Sequence, residues 1–162
     1  MEQKASYIKE NDPKAYQFFL EYWKYLKTYY VMTEEDCENN DWWGCFMSDM
    51  CYYVNRYEYN KFYVDLIMAL YIRNLGGSQK QDIHYLSSFY KEWWEVLNQF
   101  YVSIKGDSAK QGEFVERIQQ LYEKYSKDSF FNNCIDILYE YVMPEIKTED
   151  SIRFVKYIYN LV

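Results

Sequence analysis

Four glutamates in two short pairs, Glu92-Trp-Trp-Glu95 and Glu113-Phe-Val-Glu116, are the residues of this chain whose type and spacing best suit chemistry. Positions three apart share one face of a helix. Two such pairs on facing helices would offer Mg²⁺ the oxygen-only ligand set it requires. No other group of residues competes with them. His84 is the single histidine, so an acid-base or nucleophilic apparatus built on histidine has one candidate base at most. Cys37, Cys45, Cys51 and Cys134 have no repeated spacing and no Cys-x-x-Cys. They read as reduced thiols, neither a disulfide framework nor a zinc site. There is no glycine-rich phosphate loop, and no cofactor is implied.

For the glutamates to meet, two helices must fold back on each other, and the periodicity supplies them. Residues Ile83, Leu86, Tyr90, Trp93, Leu97, Phe100 and Ile104 keep a three-four spacing that predicts a helix from Asp82 to Ile104. Gly106-Asp107-Ser108 opens the next, with Phe114 or Val115, Ile118, Leu121, Tyr122 and Tyr125 inward, and the short turn makes the two an antiparallel hairpin.

Two such motifs on a hairpin resemble the pattern of all-helical nucleoside triphosphate pyrophosphohydrolases of the MazG type. The resemblance covers Glu92, Glu95, Glu113 and Glu116 and implies a magnesium-dependent nucleotide hydrolase. That family's second motif usually ends in Asp, where this chain has Glu116. No basic or aromatic substrate motif accompanies it. The hairpin's own periodicity turns all four glutamates outward, which reads them as solvated charge, and the expectation is a protein that is not an enzyme. His84, beside Ile83 and off the inward series, reads as a surface residue.

The remaining elements are helical as well, seven in all. Asp12-Pro13, an N-cap followed by proline at the first helical position, starts a helix to about Val31. Thr33-Glu-Glu-Asp36 reads as a capping-type turn, and Asp41 as the cap of a helix to about Tyr57. Asn60 to Leu75 is apolar nearly all round and is the expected buried central helix, stopped by Gly76-Gly77. Asp128-Ser129 opens a helix that stops before Pro144. Ile152 to Val162 fits a helix, although its β-branched and aromatic content also suits a strand. With 162 residues, 49% of them hydrophobic, and only five Gly and two Pro, the expectation is one all-α domain over 1–162, a compact helical bundle.

The amino terminus is polar, and the longest apolar run, Leu66 to Ile72, is too short to span a bilayer, so the expected location is the cytosol. A net charge of −7 disfavours direct binding of nucleic acid. Lysine exceeds arginine, and Tyr, Asn and Ile abound. This is the bias of AT-rich codons and suggests a low-GC bacterium or its phages.

Two surface features remain. Between Lys27 and Arg56 there is no basic residue, while Glu34, Glu35, Asp36, Glu38, Asp41 and Asp49 fall in that window. The window reads either as a solvated connection or as an acidic patch that docks on a basic groove in competition with nucleic acid. The first long helix carries two aromatic stripes: Tyr16, Phe19, Trp23, Leu26 and Tyr30, then Phe18, Tyr22, Tyr25 and Tyr29. Either that helix is wedged between two layers or the second stripe, with Trp42 and Trp94, faces a partner. The functional expectation is a non-enzymatic acidic module that binds a protein with a basic surface. In its narrowest form this is a phage or mobile-element inhibitor of a host nucleic-acid-binding defence protein, in the manner of an anti-CRISPR. A homodimeric regulatory or immunity protein is the further alternative.

Overall fold

In a computed structural model, residues 7–58, 60–77, 83–125 and 128–144 are described. They form eight helices: α1 (Tyr7–Asn11), α2 (Pro13–Tyr29), α3 (Glu34–Glu38), α4 (Asn40–Arg56), α5 (Lys61–Asn74), α6 (Ile83–Gln99), α7 (Ser108–Tyr125) and α8 (Ser129–Val142). No strand occurs among the described residues, so the chain is all-α as expected. The segment 152–162 lies outside them.

Capping explains most of the boundaries. Asp12 accepts the Ala15 amide at 3.1 Å and so starts α2 at Pro13. Asp128 does the same for α8 through Phe130, at 2.8 Å. Helix α1 was not expected from the sequence, and three further features differ from the expectation. Thr33 and Asp36 form a full capping box, so a short helix, α3, stands where only a turn was expected. Asn39, not Asp41, caps α4, its side chain accepting from the amides of Asp41 and Trp42. Helix α6 ends at Gln99, five residues before Ile104. Phe100 and Ile104 stay buried without being helical, because the apolar spacing continues past the last helical hydrogen bond. Gly106 sits at φ +79° in the connection to α7, where a side chain would be strained.

The described residues group into two units, one running Gln17–Leu86 and the other taking in the residues up to Tyr16 and from Ser87 onward. In the first, α5 is the buried helix: from Phe62 to Asn74 no residue is exposed. The second aromatic stripe of α2 packs with α4 and α5. Phe18 stacks on Tyr63 at 4.0 Å between ring centroids, and Tyr29 meets Phe46 edge-on at 4.8 Å. Tyr22 donates its hydroxyl hydrogen to the Leu66 carbonyl at 2.7 Å and Tyr25 to that of Ile67 at 3.1 Å. These carbonyls lie mid-helix, where the second lone pair is the one a side chain can use.

In the other unit, α6 and α7 form the expected antiparallel hairpin. Phe100 pairs with Phe114, Gln99 with Glu113 and Arg117, and Glu92 with Lys124, so partners advance along one helix as they recede along the other. Helix α8 closes this unit's core: Phe131 stacks on Phe89 at 4.1 Å, and the Trp93 indole donates to the Cys134 carbonyl at 3.0 Å.

The burial of the second stripe predicts how mutations sort along α2. Tyr25→Ala lowers stability in urea unfolding by about 3–5 kcal/mol, the usual cost of deleting a core aromatic. Lys24→Ala, one position away on the exposed side, stays within about 0.5 kcal/mol of the parent. Equal, small effects at both positions would mean that the stripe is not core.

Candidate functional site

The hairpin glutamates are not gathered into a metal centre. Glu92 is half-buried at the seam of α6 and α7, where it accepts from Lys124 Nζ at 2.7 Å and from the Tyr125 hydroxyl. This corrects the outward placement read for Glu92, which faces α7; Glu95, Glu113 and Glu116 are exposed as expected. Glu113 accepts from Gln99 Nε2 at 3.1 Å. Among the described residues no three His, Cys, Asp or Glu side chains come together as a metal ion would need.

A cleft of about 260 Å³ does open on this hairpin, lined by Glu92, Glu95, Arg117, Gln120, Leu121 and Lys124. Its two carboxylates face two fixed cations, a poor setting for a divalent metal. Arg117 and Lys124 were not singled out from the sequence. The available signal was the hairpin's own pairing, which brings position 124 opposite position 92.

Burial alone would raise the Glu92 carboxyl, but hydrogen bonds from Lys124 and Tyr125 and the charges of Lys124 and Arg117 outweigh it and hold the group below its ordinary value. His84 is exposed, as its place off the inward series implies, and all four cysteines are free thiols.

Tyr22, Tyr25 and Tyr29 were candidate partner-binding residues, and here the structure corrects the sequence. They are 3%, 2% and 5% exposed, and the Tyr29 hydroxyl is spent on Asp49. The helix is wedged, and its second stripe is core. Burial first, then the hydrogen bond to Glu21, likewise raises the Tyr57 hydroxyl to about 12. Trp94 is half-buried against Tyr16 and shares no element with the acidic window.

What remains at the surface is the acidic window itself, carried by α3 and the start of α4. Glu34, Glu35, Glu38 and Asp41 are exposed, and none of them meets a cation or a hydrogen-bond donor through its carboxylate among the described residues. Asp36 is different. Its carboxylate accepts the Thr33 amide at 3.0 Å and serves the capping box. Trp42 is half-buried at the edge of this face, stacked on Phe46 at 5.5 Å and edge-on to Tyr29 at 5.7 Å. Its ring is therefore fixed while part of it stays accessible. Glu34, Glu35 and Asp36 lie in the first turn of α3 and Asp41 in that of α4, where the helix dipole favours negative charge, whereas Glu38 is the last residue of α3.

The arrangement can present several negative charges and one rigid indole edge to another molecule. No protein-family model matches this chain, and neither a curated protein nor a solved structure matches it. Among the described residues no helix is long and apolar enough to cross a membrane.

The Glu92 interactions make a pH prediction. Because the folded-state value is depressed, the link stabilises the fold above the ordinary glutamate range and is lost as pH falls through and below it. Glu92→Gln flattens that part of the acid limb in a stability-versus-pH series. An acid limb identical to the parent's would remove Glu92 from the account.

Proposed function

We propose that this chain is a protein-binding module whose working surface is the acidic face of α3 and the first turn of α4, with Trp42 at its edge. The observation that carries the proposal is the set of four exposed carboxylates, Glu34, Glu35, Glu38 and Asp41, without a compensating cation among the described residues. An uncompensated patch attracts a basic surface and speeds encounter with it. A basic groove on another protein is commonly a nucleic-acid site, so occupancy by this face would exclude the nucleic acid.

The narrower reading is an inhibitor from a phage or other mobile element, directed at a host defence protein that handles DNA or RNA. It is supported by the net charge of −7 and the AT-rich residue usage of the chain. The magnesium-dependent hydrolase is the weaker reading, because Glu92 is engaged by Lys124 and Tyr125 and the adjoining cleft carries two cations.

Affinity capture from a lysate tests the main reading when run with the parent and with a Glu34→Lys/Glu35→Lys/Glu38→Lys variant. Asp36 is left intact so that the capping box survives. The expected result is a basic protein retained by the parent, lost with the triple variant, and displaced by added duplex DNA or RNA. Retention of the same proteins by the variant would overturn the acidic face as the working surface.

A further inference from the structure

Helices α4 and α5 leave an apolar strip at the surface where they meet. On α5, Val64, Met68, Tyr71 and Leu75 recur at four, three and four residues, the spacing of one helix face. The first three are half-buried and Leu75 is 44% exposed, although α5 is otherwise the buried helix of its unit. On α4, Trp43, Met47 and Val54 are half-buried on the side away from Asp49, which bonds Tyr29 of α2. Helix α4 ends at Arg56 and α5 begins at Lys61, so the two run antiparallel, and Tyr71 stacks on Phe46 at 6.4 Å. That register sets Val54 near Val64, Met47 near Tyr71 and Trp43 near Leu75.

None of these positions carries a charge, and the charges at the two ends of the strip are unequal. At the Val54–Val64 end Lys61 and Asp65 form an ion pair at 2.5 Å, and Glu58 is the one further acid. Arg56 lies there too but is turned to Glu21. At the other end the Trp43 indole donates to the Cys37 carbonyl of α3 at 3.0 Å, which brings the strip up to Glu34, Glu35, Glu38 and Asp41. Arg73, near this end of α5, is buried and lies against the Tyr30 ring. A contiguous apolar surface rimmed by charge is a common mark of a binding site. This one is also selective. An extended peptide laid on it would bury its own amides without partners, because both helices spend their backbone groups internally. A helix satisfies its own backbone, and its ridge of side chains fits the groove between two neighbouring helices. From Trp43 to Val54 the strip is about 17 Å long, or about three turns of such a helix.

We propose that the strip receives an amphipathic helix of the partner protein, apolar at i, i+3, i+4 and i+7 and basic at the end that lies against α3. Charge complementarity fixes that end: four carboxylates without a cation among the described residues stand at one end of the strip, and a nearly balanced set stands at the other. The placing of the basic end rests on the acidic-face reading. The apolar contact with α4 and α5 goes beyond it and is read out separately.

The probe is a synthetic helical peptide of about four turns, with leucine at the i, i+3, i+4 and i+7 positions and lysine at one end only. It is added to the full chain labelled with ¹³C at the methionine methyls. The Met47 and Met68 resonances should shift most. By fluorescence anisotropy, a peptide of the same composition in scrambled order should bind at least tenfold more weakly. The uncharged double variant Met68→Gln/Leu75→Gln should weaken binding of the ordered peptide at least tenfold with unchanged circular dichroism. The Glu34→Lys/Glu35→Lys/Glu38→Lys variant should weaken it as well. No binding of the ordered peptide, equal binding of the scrambled one, or binding that leaves Met47 and Met68 unmoved would each overturn the docked helix. Full binding by the lysine variant, with Met47 and Met68 still shifting, would instead overturn the acidic-face reading and keep the strip as the docking surface.

Discussion

A tyrosine can enter a protein core only if its hydroxyl finds an acceptor there, and the unit formed by Gln17–Leu86 depends on that constraint. Its α2 helix is aromatic on two adjacent faces, which leaves too narrow a polar side for a helix lying on a surface. The buried faces are tolerable because Tyr22 and Tyr25 place their hydroxyls on the Leu66 and Ile67 carbonyls and Tyr29 places its own on Asp49. An unsatisfied hydroxyl in each of these places would cost about 1–3 kcal/mol apiece. The bonds to α5 also fix the register of α2 along it, because successive turns of one helix meet successive carbonyls of the other. The neighbouring end of α5 is tied in the same way, with Asn74 donating to the Tyr29 carbonyl at 3.0 Å and the Arg73 guanidinium lying 3.9 Å from the Tyr30 ring centroid.

This constraint decides which residues are left at the surface to bind. A tyrosine-rich stripe next to an acidic window resembles the anchor and rim of a protein interface when only the sequence is in view. Once the stripe is inside, the surface that adjoins it is left with the carboxylates of α3 and the edge of Trp42. Aromatic anchoring is thereby reduced to one fixed indole, and electrostatic attraction becomes the main source of affinity in the proposed function. Such a surface would act chiefly on the rate of encounter and respond strongly to salt.

Much of the fold was legible because it rests on local rules. The Asp12-Pro13 start, the Asp128 cap, the apolar sweep from Phe62 to Ile72 and the three-four series of α6 each predict an element that the structure contains. The errors arise where side chains compete for the same role. Asn39 and Asp41 are both good caps, and only the backbone geometry decides between them. Glu92 lies one position from the inward Trp93, and a long side chain there reaches the seam to meet Lys124. The choice between core and interface for Tyr22, Tyr25 and Tyr29 could not be made from α2 alone, since it depends on carbonyls more than forty residues away. The candidate surface was legible as charge, because a run without bases is visible directly. That Glu34, Glu35, Glu38 and Asp41 are exposed and uncompensated, while Asp36 serves a cap and Asp49 accepts from Tyr29, required the structure.

In the proposed function a partner covers α3 and the start of α4. Hydrogen-deuterium exchange of the chain alone and in complex with its captured partner tests this most directly. Slowed exchange is expected to concentrate in residues 33–43, with the α6–α7 hairpin unchanged. Protection confined to the hairpin, with 33–43 exchanging as in the free chain, would contradict it.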